Sequence, residues 1–211
     1  SGITAVEVKI TRESDQLYWS GSAWTGDEMW LTVEGTTEWE YDLSPDALTD
    51  TVSYIVYVRA TDGVGNVETS YAADTFIFDS LPAYSEVLIE RDFYNSINWV
   101  NTSSISGTAG DSTSGLASVE ISIQRSSDNA WWGGFTWGGS ETWLTTVGTD
   151  IWSYSLNSVN LTDGNSYTVF SRATDNVANV QSELGEDTFT YDLTPPVAGS
   201  VYDGAGEGDD D

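Results

Sequence analysis

The chain contains itself twice. A shift of about 113 positions realigns roughly 83 residues without a gap, and nearly half of them are identical. Ser1-Gly-Ile-Thr-Ala-Val-Glu-Val returns as Ser114-Gly-Leu-Ala-Ser-Val-Glu-Ile. Trp19, Trp24, Trp30 and Trp39 return as Trp132, Trp137, Trp143 and Trp152, and Arg59-Ala-Thr-Asp returns as Arg172-Ala-Thr-Asp. Any fold must therefore be one that works as a unit and can be repeated. Duplication of a whole domain serves length, avidity or surface more readily than it serves a single catalytic site.

Within each copy the local signal is alternation. Val6, Val8 and Ile10 alternate with Glu7 and Lys9, and Trp39, Tyr41 and Leu43 alternate with Glu40 and Asp42. Val119, Ile121 and Ile123, then Trp152, Tyr154 and Leu156, repeat the pattern. A period of two with one apolar face predicts half-buried antiparallel strands. Turn signals such as Asp62-Gly63 and Asp163-Gly164-Asn165 separate them. No helical period stands out beyond one turn at Ser44 to Leu48. Short strands at regular spacing predict an all-β fold of tandem β-sandwiches. The expected division is a first repeat at 1–82, a second at 83–195, and a start of a further repeat or an acidic tail at 196–211. The second repeat carries two extra candidate strands, Glu86 to Arg91 and Ser103 to Gly107, so the first is expected to lack its N-terminal strands and the chain to be a window on a longer array. An open first domain could accept a strand from a partner.

Charge narrows the class of partner. Six Lys and Arg stand against 34 Asp and Glu, a formal net charge of -28. Nucleic acid and anionic membrane surfaces are poor partners for such a chain. No apolar run is long enough to span a bilayer, so membrane insertion is not expected. Cys and His are both absent, which excludes thiol catalysis, disulfides, the usual zinc sites and a Ser-His triad. No nucleophile motif appears, and no carboxylate pair stands out from the acidic background, so the chain does not read as an enzyme.

The motifs Ser-Gly-x-x-x-Val-Glu-Val, Tyr-Trp-x-Gly-x-x-Trp, Gly-Thr-x-x-Trp-x-Tyr, Arg-Ala-Thr-Asp-x-x-x-Asn-Val and Asp-Thr-Phe-x-x-Asp resemble those of bacterial immunoglobulin-like repeats found in very large surface and secreted proteins, adhesins among them. The Arg-Ala-Thr-Asp-x-x-x-Asn segment, at Arg59 to Asn66 and Arg172 to Asn179, is the most specific piece. The family usually has Gly before that Asn; Gly65 keeps it and Ala178 departs from it. The resemblance implies an extracellular or cell-surface stalk of stacked sandwiches whose partners are neighbouring repeats or identical subunits. It also implies calcium at the junctions between domains, stiffening them, with Asp62, Asp79, Asp175 and Asp192 as the matching ligands. Carboxylates converging at a hinge repel one another unless a cation joins them. The plainer reading is that these aspartates cap their own turns.

Ten tryptophans are many for 211 residues. Trp39 and Trp152 lie on alternating apolar faces and are expected in the core. Trp30 and Trp143 are expected to cover a sandwich edge. Trp19-Ser-Gly-Ser-Ala-Trp24 and Trp132-Gly-Gly-Phe-Thr-Trp137 read as hairpins. Their rings either fold back as a lid or form a sugar-stacking platform, which would make Trp19, Trp24, Trp132 and Trp137 glycan-binding residues.

Overall fold

A computed structural model describes residues 2–199 of the chain. The protein is mostly β, with antiparallel sheets that form sandwiches, and it divides into two compact units. The first takes in Ser1–Tyr84, Gly110–Ala117 and Ala173–Ser182, and the second Ser85–Ala109, Ser118–Arg172 and the remainder.

The first unit is built on β1 (Ile3–Arg12), β2 (Leu17–Trp19), β3 (Trp24–Thr25), β4 (Leu31–Thr32), β5 (Glu34–Gly35), β6 (Trp39–Glu40), β7 (Ser53–Asp62) and β8 (Ala72–Ile77). Its main sheet runs β3-β2-β1-β7-β8, with β4 also on β1, and β5 and β6 form a separate two-stranded ribbon. β1 is central because both its faces are used. Val6 and Val8 pack with Val33 and, around them, Leu31, Tyr41, Val56 and Val58. On the opposite face the Lys9 ammonium lies over the rings of Tyr57 (4.5 Å) and Trp30 (5.1 Å) and pairs with Glu28 at 3.2 Å. Rings with a negative face can hold a cation that is largely removed from water.

The second unit comprises β9 (Tyr84–Leu88), β10 (Phe93–Tyr94), α1 (Ser96–Thr102), β11 (Ser104–Gly110), β12 (Leu116–Arg125), β13 (Ala130–Trp132), β14 (Trp137–Gly138), β15 (Leu144–Thr145), β16 (Ile151–Ser155), β17 (Asn165–Asp175) and β18 (Gly185–Tyr191). One sheet runs β10-β18-β17-β12-β13-β14, with β15 on β12, and the other runs β16-β11-β9. β12 pairs antiparallel with β13 and β15, β13 with β14, β17 with β18 and β11 with β16, whereas β10 and β18 run parallel. Trp99, Trp152, Tyr167, Phe189, Ile121 and Ile123 fill the space between the sheets.

The short helix α1 has no counterpart in the sequence expectations. Its apolar residues are too few for a period to show, but its start is written in Asn95, whose side-chain oxygen accepts from the N–H groups of Ile97 and Asn98. The helix delivers Trp99 to the core, where the indole N–H donates to the Leu156 carbonyl at 2.7 Å. The expected single turn near Ser44 is present as a 3-10 turn at Pro45–Ala47.

One core expectation needs correction. Trp152 is fully buried (0 % exposed), but its counterpart Trp39 is 40 % exposed. The cause is the cover. In the second unit β11 pairs with β16 along Ser104–Thr108 and lays Gly107 against the Trp152 ring; in the first unit, among the described residues, β6 pairs only with β5. For the stretch expected to open a further repeat, residues 192–199 carry no strand, and residues 200–211 lie outside those described.

Candidate cation site

Three carboxylates meet within the first unit. Asp79 follows β8, Asp111 follows β11, and Asp175 ends β17; one oxygen from each lies within 4.8 Å of the others. Among the described residues this is the one group of three or more His, Cys, Asp or Glu side chains so arranged.

Backbone geometry aims each of them. Asp175 Oδ1 accepts from Val177 N at 3.0 Å and Asn179 N at 2.8 Å, and its Oδ2 accepts from the Asn179 amide at 2.8 Å. These bonds close the Asp-x-x-x-Asn loop on itself and hold the carboxylate, only 1 % exposed, in a fixed pose. The Asn179 side chain also donates to the Asp79 carbonyl at 3.4 Å. Asp79 itself accepts from Leu81 N through Oδ1 and from Ser114 N through Oδ2. Asp111 Oδ2 accepts from Thr113 N at 2.8 Å and Gly115 N at 2.7 Å. Burial pushes the Asp111 carboxyl up, but the N–H groups of Thr113, Gly115, Ser114 and Ser112 outweigh it and hold it below its ordinary value. The Thr113 and Ser114 hydroxyls beside it are buried and without a hydrogen-bond partner.

The donor set is entirely hard oxygen, the chemistry of calcium rather than of zinc or copper. Calcium–oxygen bonds of about 2.3–2.6 Å let one ion bridge oxygens up to roughly 5 Å apart, which these are. Without a cation, two unit charges at about 4 Å repel by roughly 1 kcal/mol in water and about 4 kcal/mol at a partly buried site.

Of the four aspartates singled out in the sequence, the structure brings Asp79 and Asp175 together and places Asp62 and Asp192 outside this group. Asp62 holds its own loop as Asp175 does, with Oδ1 accepting from Val64 N and Asn66 N and Oδ2 from the Asn66 amide. Asp192 accepts from Thr194 N. Asp111 is the ligand candidate that sequence reasoning missed. Its signal was the Asp-x-x-x-Gly spacing of Asp111 to Gly115, hidden because the aligned position in the first copy would precede Ser1.

The tryptophan hairpins fold back. Trp19 and Trp132 are buried, and their indole N–H groups donate to the Tyr41 and Tyr154 hydroxyls, both at 3.0 Å. Trp24 and Trp137 donate to the carbonyls of Ala47 and Asn160, and Arg12 and Arg125 lie over their rings at 4.8 Å. The paired rings are tilted by 54° and 52°, so they present no common plane. Trp30 and Trp143 serve as platforms for Arg59 (4.1 Å) and Arg172 (4.2 Å), each of which also pairs across strands with Glu7 or Glu120. Among the described residues five of the six cations are thus held in ion pairs, which leaves the surface field to the carboxylates.

What fold and site define is a β-sandwich protein with a cluster of three loop aspartates whose oxygens could hold a hard cation. No protein-family model matches the sequence, and no match is found among curated proteins. Among solved structures, the chain is similar to a 1.5-MDa bacterial ice-binding adhesin studied for host cell surface retention, with a TM-score of 0.45 and 17% identity over 91% of this chain and 55% of that one. It is also similar to a Ca2+-stabilized adhesin that helps an Antarctic bacterium reach out and bind ice, with a TM-score of 0.36 and 16% identity over 89% of this chain and 40% of that one. The chain therefore spans about half the length of these structures or less. Among the described residues no helix is long and apolar enough to cross a membrane.

Proposed function

We propose that the chain is a structural, adhesive-stalk module: immunoglobulin-like sandwiches in tandem, the first without the two N-terminal strands of the second, in an extracellular or cell-surface protein. Its partners would be neighbouring repeats or identical subunits. The observation that carries this reading is the Asp79–Asp111–Asp175 cluster, built into a duplicated scaffold. Asp79 belongs to the segment after β8, whereas Asp111 and Asp175 belong to loops of the second copy. A calcium ion held by all three ties those segments together and cancels their mutual repulsion. The work of such a module is mechanical, and its acidity keeps a long array soluble.

The four hairpin tryptophans act in this reading as packing residues, since their N–H groups are used within the fold. The test is a thermal melt in millimolar calcium and again in excess chelator, with small-angle scattering on both samples. A rise of several degrees with calcium, lost in Asp111→Asn and Asp175→Asn but kept in Asp62→Asn, supports the reading. Equal melting in both buffers removes calcium from it.

A further inference from the structure

One strand position separates the two copies by a charge. Lys9 on β1, the only lysine in the chain, aligns with Ser122 on β12. The two strands keep the same register, with Val8 opposite Leu31 and Ile121 opposite Leu144. In the first copy Lys9 is buried, and its ammonium lies near the rings of Tyr57 (4.5 Å), Trp30 (5.1 Å), Tyr71 (5.7 Å) and Tyr18 (5.9 Å). Glu28 supplies the carboxylate at 3.2 Å. The second copy keeps most of this frame without the cation. Phe170, Trp143, Leu184 and Trp131 align with the four rings, and Glu141 aligns with Glu28. Arg172 lies over Trp143 as Arg59 lies over Trp30, so the frames are built alike. Trp131 and Phe170, both half-buried, meet at 6.0 Å. Ser122 is fully buried, and its hydroxyl has no hydrogen-bond partner, which is a costly state for a polar group. Glu141 is exposed and makes no ion pair among the described residues.

We infer that this cluster of the second copy is a binding site for a lysine side chain of a basic partner polypeptide. The ammonium enters between the Trp131 and Phe170 rings, donates to the Ser122 hydroxyl and pairs with Glu141, while the ring faces stabilise its charge. Parting the two rings is the cost of entry, and the first copy shows the same frame with a cation among its rings. The unpaired hydroxyl sets the ligand class. It calls for an N–H donor, which a primary ammonium has and a quaternary one lacks. A guanidinium is a broader, planar group that stacks on aromatic faces, and Arg172 already lies over the Trp143 ring at 4.2 Å. The net charge of -28 draws a basic polypeptide toward the site more strongly than a lone amine. Lys9 is itself buried, so the occupant comes from outside this sequence.

The test uses the whole chain with nitrogen-15 in its tryptophan indoles, the resonances of Trp131 and Trp143 being assigned by Trp→Phe substitution. The probes are blocked Gly-Gly-X-Gly-Gly peptides in which X is lysine, arginine, trimethyllysine or acetyl-lysine, titrated at physiological salt. The lysine peptide should shift the Trp131 and Trp143 indoles saturably and leave that of Trp30 in place. Arginine and trimethyllysine peptides should bind about tenfold more weakly, and the acetyl-lysine peptide should not bind. Two variants that add no bulk to the fold separate the contacts. Glu141→Gln, at an exposed position, should weaken lysine binding about tenfold with melting unchanged. Ser122→Ala should erase the preference for lysine over trimethyllysine. Silence of both indoles overturns the inference, as do equal shifts with lysine, arginine and trimethyllysine, which would mark a general attraction to the acidic surface. Full binding by Glu141→Gln overturns it as well. A response to butylamine without one to the lysine peptide would also overturn it, since the ligand would then be a free amine.

Discussion

Trp39 and Trp152 occupy the same position of the same repeat, within Trp-x-Tyr-x-Leu, and end in different environments. The contrast extends through each core. Phe189 is sealed by Trp99 and Tyr94, while among the described residues Phe76 stacks on Tyr54 alone. Identical alternation thus fixes which way a side chain points, and a distant segment decides whether it leaves water. Even strand length follows the partner, since β16 persists for five residues where β6 stops at two. The lesson is that burial in a sandwich is a property of both sheets, and a pattern read along one strand reports only half of it.

The sharpest way to break this comparison is to truncate both tryptophans. Trp152→Ala should destabilise the second unit by about 3–5 kcal/mol, because the cavity lies between packed sheets. Trp39→Ala should cost the first unit less than half of that, about 1–2 kcal/mol, because much of the ring already meets water. Urea denaturation of the two variants measures both. Equal losses would mean that Trp39 is covered in solution, and the two cores would then be alike. Gly107→Val probes the same cover from the other side and should cost about 3 kcal/mol, by forcing β11 away from Trp152.

Much of the scaffold was legible in the sequence because its periods are local. The alternation of Val6, Val8 and Ile10 marks β1, and that of Val119, Ile121 and Ile123 marks β12. What escaped depended on residues far apart in the chain. Trp39 read as core because nothing along its own strand records the lack of a covering segment. Helix α1 is too short for a period, and only Asn95 announces it. At the candidate cation site, Asp79 and Asp175 stood out because they repeat. Asp111 did not, since an unrepeated aspartate in an acidic chain carries no mark of its own.

The cluster supplies the next comparison, between the two Asp-x-x-x-Asn loops. Saturation with calcium at about a hundredfold over its dissociation constant stabilises a fold by about 2.7 kcal/mol. That gain should vanish with Asp175→Asn and persist with Asp62→Asn, as read from melts with and without chelator. Acid should also separate them. The Asp111 carboxyl is held below its ordinary value in the folded protein, so its contribution is fully present above the unfolded value of about 3.9. It is lost as the pH falls through the lowered folded value. In chelator, Asp111→Asn should therefore flatten the acid limb of stability below about pH 4, while leaving its slope near neutrality unchanged. An unaltered acid limb would show that the backbone N–H groups around Asp111 do not favour its charged form.

The smallest expected effect lies in the same loops. Gly65 and Ala178 share a position and a left-handed backbone, with φ of 89° and 72°. Glycine adopts that region freely, whereas the Cβ of alanine crowds the following carbonyl at roughly 1–2 kcal/mol. Glycine also raises the entropy of the unfolded chain, which offsets part of the gain. Ala178→Gly should therefore stabilise the protein by only about 0.5–1 kcal/mol. Gly65→Ala should destabilise it by about 1 kcal/mol, although open space surrounds the added methyl group. Because the methyl group added at Gly65 meets no neighbour, that variant isolates backbone strain from packing. If Ala178→Gly is neutral and Gly65→Ala is costly, the Asp175 loop is held in its left-handed turn by its surroundings. The bonds from Val177 N and Asn179 N to Asp175 would then have taken over the work that glycine does in the first copy.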